Sequence, residues 1–196
     1  MHSRHPVRLG ARLGVLLASF PFILFSPAFA ASTVANYVLH TWQAESGLPQ
    51  DSVTAVVQSH DGYIWIGTYS ALARFDGVHF TIFDTSSTPG LEGSRVTSLF
   101  ESADGTLWIG EEDGTLMRMV RGRFQRVDFQ PGWGDRYIMH LGADDVGDVW
   151  AVNRGGFVTR IRDGLTSVPQ IPLTMGFVNV ALQPRGMWIS RNNRIE

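Results

Sequence analysis

Lysine and cysteine are both missing from the 196 residues, and each absence removes a class of chemistry. Without lysine there is no P-loop lysine for phosphates, no Schiff-base nucleophile and no kinase β3 lysine. Without cysteine there are no disulfides, thiol nucleophiles or thiolate metal sites. Charge is also sparse. Charged residues make up 17% of the chain and the net charge is -2, which offers no basic footprint for nucleic acid. After residue 31 no stretch keeps a helical period, and no second apolar run is long enough to cross a membrane. What is present is a globular composition: 44% hydrophobic, with 12 Phe and 6 Trp for a core and 21 Gly and 9 Pro for turns.

The first thirty residues have the order of a secretory signal peptide. Arg4, Arg8 and Arg12 form a basic segment, Leu13 to Phe25 an apolar one, and Ala28-Phe29-Ala30 a small-residue cleavage site. The sequence therefore predicts export, with cleavage after Ala30 and a mildly acidic mature chain.

Internal repetition organises the remainder. Trp65, Trp108, Trp150 and Trp188 recur at intervals of roughly 40 residues. Aligned on them, Val53 to Gln58, Asp61-Gly62 and Tyr63 to Thr68 match Val96 to Glu101, Asp104-Gly105 and Thr106 to Glu111. A looser copy runs from Ile138 to Leu141 and on to Gly147–Asn153. A fourth begins at Phe177 and reaches Gly186–Ser190. The segments are short, rich in Val, Ile, Phe and Trp, and bounded by Gly and Asp, which marks strands. Asp-Gly between two of them signals a hairpin, because a type I′ turn sets both central residues at positive φ. A second hairpin follows each Trp strand, turning at Asp76-Gly77, Arg121-Gly122 and Asp163-Gly164. Four short antiparallel strands per repeat at this period predict an all-β fold of propeller blades, with each Trp filling the gap between adjacent sheets.

The blades are expected near residues 52–85, 95–129, 137–168 and 177–196, the last incomplete. They follow a lead-in over 31–51, and Asn36 to Trp42 is expected to supply a ring-closing strand.

Trp65-Ile66-Gly67-Thr68, preceded by Asp61-Gly62 and followed by Leu72-Ala73-Arg74-Phe75-Asp76-Gly77, resembles the two-component regulator propeller repeat. The lead-in from Trp42 to Val53 is similar to the start of such sensors. The resemblance covers roughly residues 37 to 190. Copy three departs from it with Ala151-Val152 in place of Ile-Gly, and copy four with Arg185-Gly186 in place of Asp-Gly. The resemblance implies the extracytoplasmic, periplasmic sensor region of a larger membrane protein. Its output module is a histidine kinase or, in some relatives, a diguanylate cyclase. Four blades are fewer than the family's usual ring, which implies a partial β-propeller and an N-terminal fragment without the downstream membrane and kinase domains. A propeller enzyme acting on carbohydrate is the competing expectation.

No candidate catalytic residue emerges. The histidines His40, His60, His79 and His140 lack the close spacing of a helical metal pair, and no serine lies in a G-x-S-x-G elbow. Asp61-Gly62, Asp104-Gly105 and Asp144 to Asp148 sit at hairpin turns and read as turn chemistry. No metal and no cofactor are expected. Architecture points instead to the loops after the Trp strands, which reach one face of a propeller. They carry Tyr69 beside Thr68 and Ser70, Glu111 and Glu112 beside Asp113, Asn153 with Arg154, and Arg191 with Asn192. Variable polar residues on a repeated frame suit recognition. Tyr69, Glu111, Glu112, Asn153 and Arg154 are thus the candidate contacts for an unknown small-molecule or carbohydrate ligand.

Overall fold

The computed structural model describes residues 38–129, 137–167, 178–183, 186–191 and 194–195. The signal peptide over 1–30 lies outside them, as do Phe177, Arg185 and Asn192. The expected ring-closing strand lies partly outside them. Its described part is not a strand, and Trp42 sets its edge on Phe75 with ring centroids 5.1 Å apart.

The blades all lie in the unit His40–Glu196. The first is a meander of β1 (Val53–Gln58), β2 (Ile64–Thr68), β3 (Leu72–Phe75) and β4 (Phe80–Phe83). The second comprises β5 (Val96–Glu101), β6 (Leu107–Glu111), β7 (Leu116–Val120) and β8 (Arg123–Val127). The third comprises β9 (Ile138–Ala143), β10 (Val149–Asn153), β11 (Val158–Arg162) and β12 (Leu165–Ser167). The fourth has, among the described residues, β13 (Val178–Gln183), β14 (Gly186–Arg191) and β15 (Arg194–Ile195). Every pairing is antiparallel between neighbours in sequence. The architecture is a partial β-propeller.

The hairpins differ from the expectation in an informative way: at Asp76-Gly77 only the glycine has positive φ (100°), and Asp76 N–H donates to the His79 carbonyl at 3.2 Å. Positive φ at both central residues occurs at Arg121-Gly122 (49° and 75°) and Asp163-Gly164 (51° and 78°), the type I′ turns. At Ser59–Gly62, Ser102–Gly105 and Asp144–Gly147 only the glycine has positive φ, and its N–H donates to the carbonyl three residues back at 2.9, 2.9 and 3.1 Å. These are four-residue turns closed by a left-handed glycine. Asp61 and Asp104 serve them through their carboxylates, each accepting the hydroxyl hydrogen bond of Ser59 or Ser102.

Strand alternation gives each sheet two apolar faces. Trp65 is 3% exposed and packs with Leu91, Val96, Leu107, Ile109, Met117 and Phe124 of the next repeat. Trp108 is 6% exposed and packs with Ile138, Val149, Ala151 and Ile161 of the third blade. The Trp strand therefore points its indole at the following blade. Trp150 is half-buried, with its indole N–H donating to Asp144 Oδ2 at 2.9 Å. Trp188 departs from the core position read in the sequence, being 51% exposed on the last sheet. The register explains it: the indole faces onward, and no described sheet follows.

The first strand of each blade touches the first strand of the next, which places β1, β5 and β9 innermost. Two details of the repeat allow that approach. Gly67 and Gly110 follow the Trp-Ile pair, and a Cβ on them would stand 2.5 Å from Val96 Cγ1 and 2.7 Å from Ile138 Cγ2. Thr54 and Thr97 lie at a register shift in β1 and β5. Their hydroxyls donate to the Val96 and Ile138 carbonyls of the next inner strand at 2.7 and 2.6 Å. At the opposite end of these strands, His60 Nδ1 meets Glu101 Oε1 at 2.8 Å and raises the histidine pKa through that hydrogen bond.

Candidate functional site

Each second strand ends on a residue that opens a turn: Thr68 in β2, Glu111 in β6 and Asn153 in β10. All three are buried. In the first blade the Thr68 hydroxyl oxygen accepts from the Ser70 and Ala71 amides at 3.1 and 3.0 Å. In the third, Asn153 Oδ1 accepts from the Phe157 amide at 2.9 Å, so this side chain is occupied by its own turn. The middle blade solves the problem differently. Asp113 Oδ1 accepts the Thr115 amide at 2.8 Å, which releases Glu111 from turn duty.

The freed Glu111 side chain turns inward instead of lying on the loop. It folds over Gly93, where a Cβ would stand 1.6 Å from Glu111 Oε2, so only glycine leaves it room. The side chain is 2% exposed, and Oε1 has no hydrogen-bond partner among the described residues. Burial pushes the carboxyl up to about 7; the charges of Asp113 and Glu92 push the same way, and Arg126 opposes them. Beside it opens a cavity of about 270 Å³ lined by Gly93, Ser94, Arg95, Glu111, Glu112 and Asp113.

The residue after each of these positions faces outward. Tyr69, Glu112 and Arg154 occupy the same place in three blades. Arg95 and Tyr137 stand just before the inner strands β5 and β9, held by matching backbone bonds: Glu112 N–H to Arg95 O at 2.9 Å, Arg154 N–H to Tyr137 O at 2.8 Å. These five side chains meet. The Arg95 guanidinium lies 4.9 Å from the Tyr69 ring centroid and pairs with Glu112. The Arg154 guanidinium lies 5.4 Å from the Tyr137 ring. Tyr69 and Tyr137 share a hydrogen bond, hydroxyl to hydroxyl at 3.2 Å. That bond joins blade one to blade three over blade two, which requires both rings to lean toward the innermost strands.

The electrostatics follow from the contacts. The Arg95 guanidinium holds the Glu112 carboxyl below its usual range. Burial, and then the hydrogen bond to Tyr69, push the Tyr137 hydroxyl up to about 12, so it stays protonated. The result is a face with two aromatic rings, two guanidiniums and a carboxylate, next to a recess with a desolvated carboxyl.

Of the sequence candidates, Tyr69, Glu112 and Arg154 come together, Glu111 lines the adjoining recess, and Asn153 is withdrawn into its turn. Arg95 and Tyr137 were not candidates. Their signal is positional: each precedes the first strand of its repeat, as Ser52 does in the first. Among the described residues no group of His, Asp or Glu is arranged to hold a metal ion, and no helix is long and apolar enough to cross a membrane.

Residues 47–70 and 90–113, which hold β1–β2 and β5–β6, match the two-component regulator propeller family. Comparison with curated proteins gives no match. Among solved structures, the extracellular domain of the putative hybrid two component system BT3049 from B. thetaiotaomicron is similar at 15% identity and TM-score 0.63, over 82% of this chain and 26% of that one. The extracellular domain of the putative one component system BT4673 from the same organism is similar at 16% identity and TM-score 0.56, over 70% of this chain and 22% of that one. Virginiamycin B lyase from Staphylococcus aureus is similar at 19% identity and TM-score 0.59, over 72% of this chain and 49% of that one. At these identities the likeness is one of fold, and the chain spans half or less of each of these structures.

Proposed function

We propose that this chain, whose residues 47–70 and 90–113 match the two-component regulator propeller family, is the extracytoplasmic ligand-recognition module of a membrane-linked signalling protein. The observation that carries the reading is the convergence of Tyr69, Arg95, Glu112, Tyr137 and Arg154 from three successive blades on one face. A propeller supplies a rigid frame, and side chains at equivalent positions can differ without disturbing it. Here they combine ring faces, which cover apolar C–H surface, with planar donors and acceptors that suit hydroxyl groups. A small molecule of carbohydrate type fits that mixture. The module itself is non-catalytic in this reading, with no cofactor and no nucleic acid.

Export rests on the signal-peptide pattern of residues 1–30, and the extracellular domains among the similar structures support it. The lead-in over 31–51 then carries the ring-closing segment. A histidine kinase is the output best supported by the family, with a diguanylate cyclase as the alternative.

A glycan array probed with the chain and with its Tyr69→Ala and Arg95→Ala variants tests recognition. At least one saccharide class should be retained by the parent chain and lost, by about tenfold or more, in both variants. Retention of the same saccharides by both variants would rule this face out.

A further inference from the structure

We infer that the recess beside Glu111 is a binding site for a primary ammonium group of the recognised ligand, with the Glu111 carboxylate as its counter-charge. The inference rests on the reading of this face as a recognition surface.

The geometry gives three reasons. First, the recess is walled by Glu111, Glu112 and Asp113 against one guanidinium, that of Arg95, which is already paired with Glu112. Second, Glu111 is 2% exposed and its Oε1 has no hydrogen-bond partner among the described residues, although a desolvated carboxyl oxygen gains from every donor it can find. At the equivalent positions in the flanking blades, Thr68 Oγ1 and Asn153 Oδ1 each accept an amide of their own turn; in the middle blade Asp113 takes that task in place of Glu111. Third, Gly93 has only hydrogen where the carboxyl lies, which leaves the side chain room at the wall of the recess.

The chemical class follows by exclusion and by size. An anion finds no free cation in the lining, because the Arg95 guanidinium is already paired with Glu112, and Asp113 and ionised Glu111 oppose it. A metal ion needs several oxygen ligands around one point, and among the described residues no such group exists. A neutral hydroxyl could bond to Oε1 but would leave the charge unbalanced. An ammonium supplies three donors and the charge together, and a recess of about 270 Å³ admits a single small head group.

Binding is then linked to a proton. In the free protein Glu111 titrates at about 7, between the charges of Asp113 and Glu92 on one side and Arg126 on the other. Below that pH the carboxyl holds a proton. An incoming ammonium replaces it: the O–H bond breaks, the proton leaves to solvent, and the carboxylate stays paired with the ligand cation. Affinity should rise by up to about tenfold per pH unit between roughly pH 5 and 7, then level off.

Calorimetric titration of the chain decides the matter, with methylammonium, glucosamine and spermidine as probes and glucose as the neutral control. Run at pH 6 in two buffers of different ionisation enthalpy, the binding heat should report close to one proton released per probe bound; at pH 8 it should report about none for methylammonium, whose amine is still fully protonated there. Glu111→Gln should weaken amine binding by about tenfold or more and abolish the proton release. Its circular dichroism melt checks that it folds, and Glu111→Asp, which retains the charge, should restore part of the affinity. Failure of all three amines to bind overturns the inference, as does glucose binding as well as glucosamine, or a Glu111→Gln variant that binds amines like the parent. A saccharide held through Tyr69 and Arg95 but indifferent to Glu111→Gln would refute the ammonium site while leaving the recognition face intact. Loss of binding at both would remove the two readings together.

Discussion

A carboxyl held away from water resists ionisation, and the fold pays for that resistance once the pH passes its ordinary value. Glu111 is raised from 4.5 to about 7, chiefly by burial. Between those values the native chain holds a proton that the unfolded chain has lost, so stability falls as pH rises from about 4.5 to about 7 and is level above. The whole effect is on the order of 3 kcal/mol. Urea melts of Glu111→Gln at pH 5 and pH 8 should show this slope removed, with the variant more stable than the parent at pH 8. Parallel slopes in the two proteins would mean that Glu111 is solvated. Gly110 is a second residue where one atom decides. An added Cβ would stand 2.3 Å from Ser98 Oγ and 2.7 Å from Ile138 Cγ2, so Gly110→Ala should cost about 1–3 kcal/mol in the same melts. A neutral substitution would show that the second and third blades have slack between them.

At the scale of strands and blades, the repeated tryptophans make a graded series. Trp65 and Trp108 are enclosed by the following blade, whereas Trp188 is 51% exposed. Truncation of Trp65 or Trp108 to alanine should cost about 3–5 kcal/mol, and truncation of Trp188 less than about 1 kcal/mol. Equal losses at all three would contradict the assigned facing of the Trp strand. This is also the scale at which the sequence was most legible. The short segments rich in Val, Ile, Phe and Trp and the regular Trp spacing revealed the blades, because burial between stacked sheets imposes the same demand on every copy. The Asp-Gly pairs located the hairpins but misassigned the turn type of the first ones, since a single left-handed glycine closes a four-residue turn as well as a two-residue one. The site was less legible. Tyr69, Glu112 and Arg154 were visible as variable residues on a repeated loop. Arg95 and Tyr137 were not, because their role comes from the inner strands meeting across blades. The inward turn of Glu111 depends on Asp113 capping the turn in its place, a substitution of roles that residue type alone does not reveal.

At the scale of the whole molecule, a repeated frame carries one variable face, and the proposed sensing role requires export. Residues 1–30 should be removed on export, so mass spectrometry of the mature chain is expected to find Ala31 at its N-terminus. A cytoplasmic chain beginning at Met1 would separate this protein from the sensing role. The two ends of the blades differ in kind. One end is made of the near-identical turns Ser59–Gly62, Ser102–Gly105 and Asp144–Gly147, whose side chains are spent on their own backbone or on the neighbouring blade. The other carries different side chains at equivalent positions, and those side chains meet over the inner strands.

Amide chemical-shift mapping during titration with a retained saccharide distinguishes the two ends. Perturbations should centre on Tyr69, Arg95, Glu112, Tyr137 and Arg154, with the hairpins at the opposite end unmoved. Perturbations centred on Ser59–Gly62, Ser102–Gly105 and Asp144–Gly147 instead would contradict the reading of this face as a recognition surface.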